Sequence, residues 1–271
     1  MQKIFRKNLP LYSFSIFQKF PEIVNFTTTR NGGFSHNEMS SFNLGFTVGD
    51  ETEIVCANRK LLTNALQINS SKLIIPKQTS DIKIFTINDV DLQNIYSGKH
   101  EILQDCDAHI TDIPNICISV LTADCVPVLL FDPVKKVIAA VHAGWRGTAG
   151  KITKLTVLKM VETYNCIPQE IIAGIGISIG PENYEVGSDV YNIFKQVYNQ
   201  KSSQILRQIN EEKMLLNLWE ANKIQLIESG LEENNIEVAG ICTFQNHEEF
   251  YSARFTKHKT GRFATGIMMQ N

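Results

Sequence analysis

The sequence predicts a fold of mixed class in which strands and helices alternate along the chain. Three observations carry this. Short β-branched or apolar runs at 116–120, 126–131 and 137–141 are bounded by turn residues, as buried strands are. Apolar residues Ile152, Leu155, Leu158 and Val161 recur at three- or four-residue steps, as on one face of a helix. Stretches rich in Gly, Asn and Ser separate such segments.

In chain order, residues 26–50 carry repeated Gly, Asn and Ser and read as turns and loops. Asp50 and Glu53 mark a helix start, and Ile54, Val55, Leu61 and Leu62 continue the helix to about residue 66. The three strands follow, then a helix over Thr148 to Tyr164. Further helices are expected at Val190 to Tyr198 and at Leu218 to Ser229, the latter stopped by Gly230, which can adopt a left-handed cap. No low-complexity tract, Pro/Ser-rich linker or internal repeat offers a place to divide the chain, so residues 1–271 are read as a single domain.

Composition narrows the function classes. A formal charge of −2 gives no general attraction to nucleic acid or to an anionic membrane. The longest apolar runs, such as Val126 to Phe131, fall far short of the ~20 residues that span a bilayer. A small-molecule partner fits better. Cys56, Cys106, Cys117, Cys125, Cys166 and Cys242 form no C-x-x-C pair and follow no secretory leader, so free thiols in a reducing cytoplasm are expected.

The chemistry concentrates in the segment from Cys125 to His142. Two strands flank Asp132-Pro133-Val134-Lys135, a hairpin centred on Pro133 and Val134. Counting outward from that centre sets Cys125 directly opposite His142, on one face of the ladder with Cβ atoms roughly 4.5–5.5 Å apart. A loop of different parity would move them to opposite faces. A Cys/His pair supports either an activated thiolate nucleophile or coordination of a borderline metal such as zinc. An arbitrary pair is more often a buried thiol beside a structural histidine.

After His142 comes the glycine-rich turn Gly144-Trp145-Arg146-Gly147, where backbone N–H groups and Arg146 could meet phosphate or carboxylate. Arg30 and Arg59 could also reach a ligand, although single arginines more often face solvent or hold local carboxylates; Ser252-Ala253-Arg254 and Thr260-Gly261-Arg262 read as loop elements around a site, with a surface salt bridge as the alternative. His36, His100, His109, His247 and His258 show no metal-ligand spacing.

Taken together, Arg30-Asn31-Gly32-Gly33, Ser41-Phe42-Asn43-Leu44-Gly45, Gly49-Asp50 with Asn58-Arg59, Thr122-Ala123-Asp124-Cys125-Val126-Pro127 and the segment from His142 to Thr148 closely resemble the laccase-domain family, also called the YfiH or multicopper polyphenol oxidase-like family. Gly180-Pro181 with Tyr184, Leu218-Trp219-Glu220-Ala221-Asn222, Cys242-Thr243 and Thr260-Gly261-Arg262 extend the resemblance almost to the end. It implies an α+β fold, a four-layer α/β/β/α sandwich with mixed sheets. It also implies purine nucleoside chemistry: phosphorolysis of adenosine, inosine, guanosine and methylthioadenosine, with deamination of adenosine. Cys125 and His142 would be two of three zinc ligands, and Asn43, Arg59 and Arg146 would bind substrate or phosphate.

The family's third ligand is a histidine in a Gln-x-His segment, and here the matching stretch reads Lys77-Gln78-Thr79-Ser80-Asp81. Three arrangements stay open: a weak site completed by water, a substitute ligand such as His109 or Asp107, or a metal-free pocket. The family's older name brings copper and polyphenol oxidation as an alternative, against which stands the lack of dense histidine clusters. Two further alternatives are a metal-free cysteine hydrolase or deamidase, and a binding protein with impaired catalysis.

Overall fold

A computed structural model describes residues 1–96, 105–210, 213–257 and 259–271. His100 and His258 lie outside them. Two six-stranded mixed sheets stack face to face. In the first, strands Gln2–Arg6, Leu9–Ser13, Ile23–Thr28, Phe263–Met269, Cys117–Thr122 and Leu73–Ile74 lie side by side in that order; only the last pair is parallel. The second runs Ile236–Val238, Ile172–Ile175, Val126–Asp132, Val137–Ala143, Ala108–Thr111, Ile84–Thr86, with parallel pairs at both edges. A small three-stranded sheet joins Glu185–Val186, Met214–Leu216 and Leu206–Gln208.

Alternation along the strands builds the layers. Leu129, Phe131, Ile138 and Ala140 point between the sheets, where they meet Phe14, Ile118, Val120 and Ile267. Val128, Leu130, Ala139 and Val141 point outward, against helix Ile152–Tyr164 through Val157 and Met160 and against helix Leu218–Glu228 through Ala221 and Ile224. On the far side, helix Thr52–Leu66 lays Leu62, Ala65 and Leu66 on Leu11, Val24 and Phe26 of the first sheet. The result is the expected α/β/β/α order, with three apolar layers.

The central strands sit within two residues of the expected ranges. The loop expectation for 26–50 is corrected at its start, because Phe26 to Thr28 belong to the strand Ile23–Thr28. The single helix expected over 148–164 is two. A short turn of helix, Trp145–Ala149, ends at Gly150, and Lys151 takes a left-handed φ of 64° before the helix from Ile152 begins. Gly230, at φ 98°, follows helix Leu218–Glu228 as expected.

The hairpin register is also corrected. Asp132 pairs with Val137 rather than Lys135, and the loop is Pro133 to Lys136, two residues longer on its C-terminal side than the turn Pro133-Val134. Asp132 fixes it by accepting hydrogen bonds from the N–H groups of Val134 and Lys135, and Lys136 closes it with φ 56°. Pro127 therefore faces His142, and extending the register places Cys125 across from Gly144. A shift of two leaves every side chain on its original face. Cys125 and His142 thus become diagonal rather than direct neighbours, still on the side between the sheets.

Candidate functional site

The site lies where the chain passes from one sheet to the other. Strand Cys117–Thr122 belongs to the first sheet and strand Val126–Asp132 to the second, and Ala123, Asp124 and Cys125 make the crossing. Asp124 takes a φ of 95°, a conformation an L-residue holds only when its surroundings enforce it. Here they do: its carboxylate accepts from the Thr243 hydroxyl at 2.6 Å and from the Arg254 N–H at 2.7 Å, and its carbonyl accepts from Ile179 N–H at 2.9 Å. Two C-terminal loops thereby fix the residue that aims Cys125.

His142 is fixed from the other side. Its Nδ1 lies 2.7 Å from Asp107 Oδ1, and its backbone N–H donates to the Asp107 carbonyl at 2.7 Å. With Nδ1 so engaged, Nε2 is the atom left to face Cys125. The two flank one point: a Cβ placed on Gly144 would lie 3.2 Å from Cys125 Sγ and 3.9 Å from His142 Nε2. Glycine there leaves the space in front of both groups open. Burial alone would lower the imidazole pKa; the Cys125 charge and the bond to Asp107 outweigh it and push His142 up to about 9.

Asp107 does more than orient the ring. Its carboxylate also accepts from the N–H groups of Thr79, Ser80 and Asp81 at 3.0–3.1 Å. Burial raises the pKa of this carboxyl, and the bonds from His142, Asp81 and Thr79 more than reverse that, holding it below the usual range. The loop that lacks the family histidine therefore hangs from the same carboxylate as His142. Gln78 ties its other end down by bonding both the N–H and the carbonyl of Leu121 at 2.8 Å.

Cys125, His142 and Ser80 open into one cavity of about 810 Å³, whose wall also includes Phe46, Arg59 and Arg262. A volume of this size accommodates a nucleoside-sized molecule. Arg59 projects from helix Thr52–Leu66, bonds the Leu44 carbonyl through Nε and Nη2, and lies 4.2 Å over the Phe46 ring. Arg262 was expected only as a loop element near the site. Its signal was the Thr260-Gly261-Arg262 motif, but Asn43 and Leu44, which bond its backbone, lie more than 200 positions away in sequence.

Other expected residues fall elsewhere. Asn43 is fully buried and does not line the cavity: its amide donates to Gly45 and Asp50, and its Oδ1 accepts from Gly45 and Arg262 N–H groups. Arg146 is exposed, stacked over Trp145 at 4.2 Å, and absent from the cavity wall. Arg30 holds loops together, bonding the Ser40 and His247 carbonyls beneath the Tyr251 ring.

The donor set does not fit a catalytic zinc or a copper centre. Such zinc sites keep three protein ligands, and among the described residues no group of three or more His, Cys, Asp or Glu is placed to hold a metal ion. The two substitutes considered from the sequence are corrected. Asp107 spends its oxygens on His142 and the 79–81 loop. His109 is fully buried between the sheets with Nε2 3.2 Å from the Ser119 carbonyl, and it does not line the cavity.

Residues 24–270 match the family of multi-copper polyphenol oxidoreductase laccases. The chain belongs to this family. Among its laccase-family relatives, a purine nucleoside phosphorylase of Bacteroides thetaiotaomicron is 36% identical, with 97% of each chain covered. An adenosine deaminase from an unknown prokaryotic organism is 33% identical over 89% of this chain and 92% of its own. A solved structure, the hypothetical protein YfiH of Bacillus licheniformis, superimposes with a TM-score of 0.89 at 30% identity, covering 97% of this chain and 96% of that one. No helix among the described residues is long and apolar enough to cross a membrane.

Proposed function

We propose that residues 1–271 form one enzyme domain that acts on purine nucleosides at the Cys125/His142 cavity. Phosphorolysis of adenosine, inosine, guanosine and methylthioadenosine is the principal reaction, and deamination of adenosine a second activity. The observation that carries the reading is a thiol and an imidazole, both rigidly aimed, opening into a cavity of nucleoside size. The names of the relatives supply the substrate class.

In phosphorolysis a phosphate oxygen forms a bond to the ribose C1′ while the C1′–N9 bond breaks, and the departing base takes up a proton. His142 Nε2 is the group in the cavity suited to deliver that proton, since Asp107 holds the ring by Nδ1. Cys125 lies beside it as its electrostatic partner. With only two donors, Cys125 and His142, and no group of three among the described residues, no step is assigned to a metal.

The same pair favours a second reading, a cysteine hydrolase or deamidase in which Cys125 attacks and His142 takes its proton. The two separate by product. Purified protein incubated with inosine releases ribose 1-phosphate and hypoxanthine in equal amounts under the first reading, and only when phosphate is present. Iodoacetamide-sensitive, phosphate-independent hydrolysis would replace the first reading with the second.

A further inference from the structure

Among the described residues, two guanidinium groups in the cavity wall have no carboxylate partner. Arg59 gives Nε and one Nη2 hydrogen to the Leu44 carbonyl, and Arg262 gives Nη1 to the carbonyls of Thr260 and Gly261 at 2.9 Å. Each group carries five N–H donors, so about three on each remain unspent. Neither forms a salt bridge among the described residues. Asp124, the acidic residue nearest to Arg262 in effect, is committed to Thr243 and Arg254. Burial lowers the pKa of both arginines, Arg59 to about 10. A half-buried cation without a counter-charge is costly to the fold.

The two are built as a pair. Leu44 accepts the Arg59 fork with its carbonyl and donates its own N–H to the Arg262 carbonyl at 3.0 Å. Asn43, one residue earlier, accepts from the Arg262 N–H at 2.9 Å. One turn of chain thus sets both side chains at the same cavity, and Phe46 supports the Arg59 plane from below. Arg262 also lies within electrostatic reach of Cys125, so this cationic wall adjoins the thiol.

We infer that Arg59 and Arg262 form an oxyanion subsite that holds inorganic phosphate beside the Cys125/His142 pair, with Asn43 and Leu44 as its positioning frame. The inference rests on the phosphorolytic reading; it keeps Arg59, which the family resemblance implies, and puts Arg262 in the place of Arg146, which stands outside the cavity. Guanidinium forks pair with phosphate oxygens through two parallel bonds, a geometry lysine does not reproduce.

The test measures inorganic phosphate binding by calorimetry and the phosphate KM of inosine phosphorolysis in wild type, Arg59→Gln, Arg262→Gln and the two lysine variants. Each glutamine variant weakens phosphate binding about tenfold or more, the lysine variants less, and calorimetric inosine affinity stays near wild type. Should a glutamine variant fail to fold by circular dichroism, its lysine counterpart decides: it keeps the charge and most of the chain length, and a phosphate affinity equal to wild type overturns the inference. Equal phosphate affinity in all proteins, or no phosphate binding by wild type, overturns it too. Arginine-dependent phosphate binding with no ribose 1-phosphate from any purine nucleoside would retain the subsite and discard phosphorolysis.

Discussion

The two segments that face each other across the cavity are built in opposite ways. Cys125 and His142 stand at the ends of central strands, between two apolar layers, with Asp124 and Asp107 each accepting several bonds to hold them. The segment from Lys77 to Asp81 is a loop: the Lys77 carbonyl accepts from the Cys106 N–H at 3.3 Å, Gln78 bonds Leu121, and residues 79–81 hang from the Asp107 carboxylate. The difference teaches where the chemistry can vary. The strand ends are held by the sheets, whereas position 80 lies in a loop where the side chain can change without moving the frame.

Breaking the rigid side has the largest expected effect. His142→Ala reduces inosine turnover by roughly 10²–10⁴-fold, the range expected for loss of a positioned proton-transfer group, and Cys125→Ala, which removes the electrostatic partner of that group, reduces it by a smaller factor, both with unchanged circular dichroism. Wild-type turnover in both would place the reaction elsewhere. Asp107→Asn acts on both sides at once, freeing the ring and replacing a carboxylate that accepts from three loop N–H groups. It lowers kcat by about 10–100-fold while the inosine KM changes less, in line with losses when the group orienting a site histidine is removed; a purely structural role would shift the melting temperature and leave kcat of the folded fraction intact.

Ser80→His sharpens the comparison by restoring an imidazole to the loop. Ser80 has φ 62°, a left-handed conformation in which histidine is one of the better-tolerated side chains. Zinc affinity, read by competition with a chromogenic chelator, rises by roughly tenfold or more as a third donor joins Cys125 and His142. No gain would mean that Ser80 does not occupy the ligand position.

A smaller effect concerns the sheet behind the pair. Burial lowers the pKa of His109 to about 4 from its ordinary 6.5, so the unfolded chain binds this proton first as pH falls. The neutral ring's contribution is complete above pH 6.5 and is lost progressively toward pH 4, about 3 kcal/mol in all. Urea midpoints at pH 7 and pH 5 converge in His109→Gln relative to wild type if this holds.

Much of this was legible in local sequence. The strand runs around Cys125 and His142 have the periodicity of buried strands, and the even parity of the hairpin loop kept both side chains on one face although the register moved by two. The turn itself was misplaced because Asp132 captures two N–H groups and draws Lys136 into the loop, a balance that strand periodicity does not report. Asn43 carries a family motif but spends its amide on the frame. The pairing of Arg59 with Arg262, and the double duty of Asp107, join segments separated by tens to hundreds of residues, so neither left a pattern within any short window.

The central claim is that Cys125 and His142 face the space a nucleoside occupies. The most direct measurement is the rate of iodoacetamide labelling at Cys125, read peptide by peptide by mass spectrometry with and without saturating inosine and phosphate. Exposed Cys56 serves as the internal control and buried Cys106, Cys117, Cys166 and Cys242 as slow references. The structure predicts that ligand slows labelling of Cys125 while leaving Cys56 unchanged. Equal labelling of Cys125 in the presence and absence of ligand would contradict it.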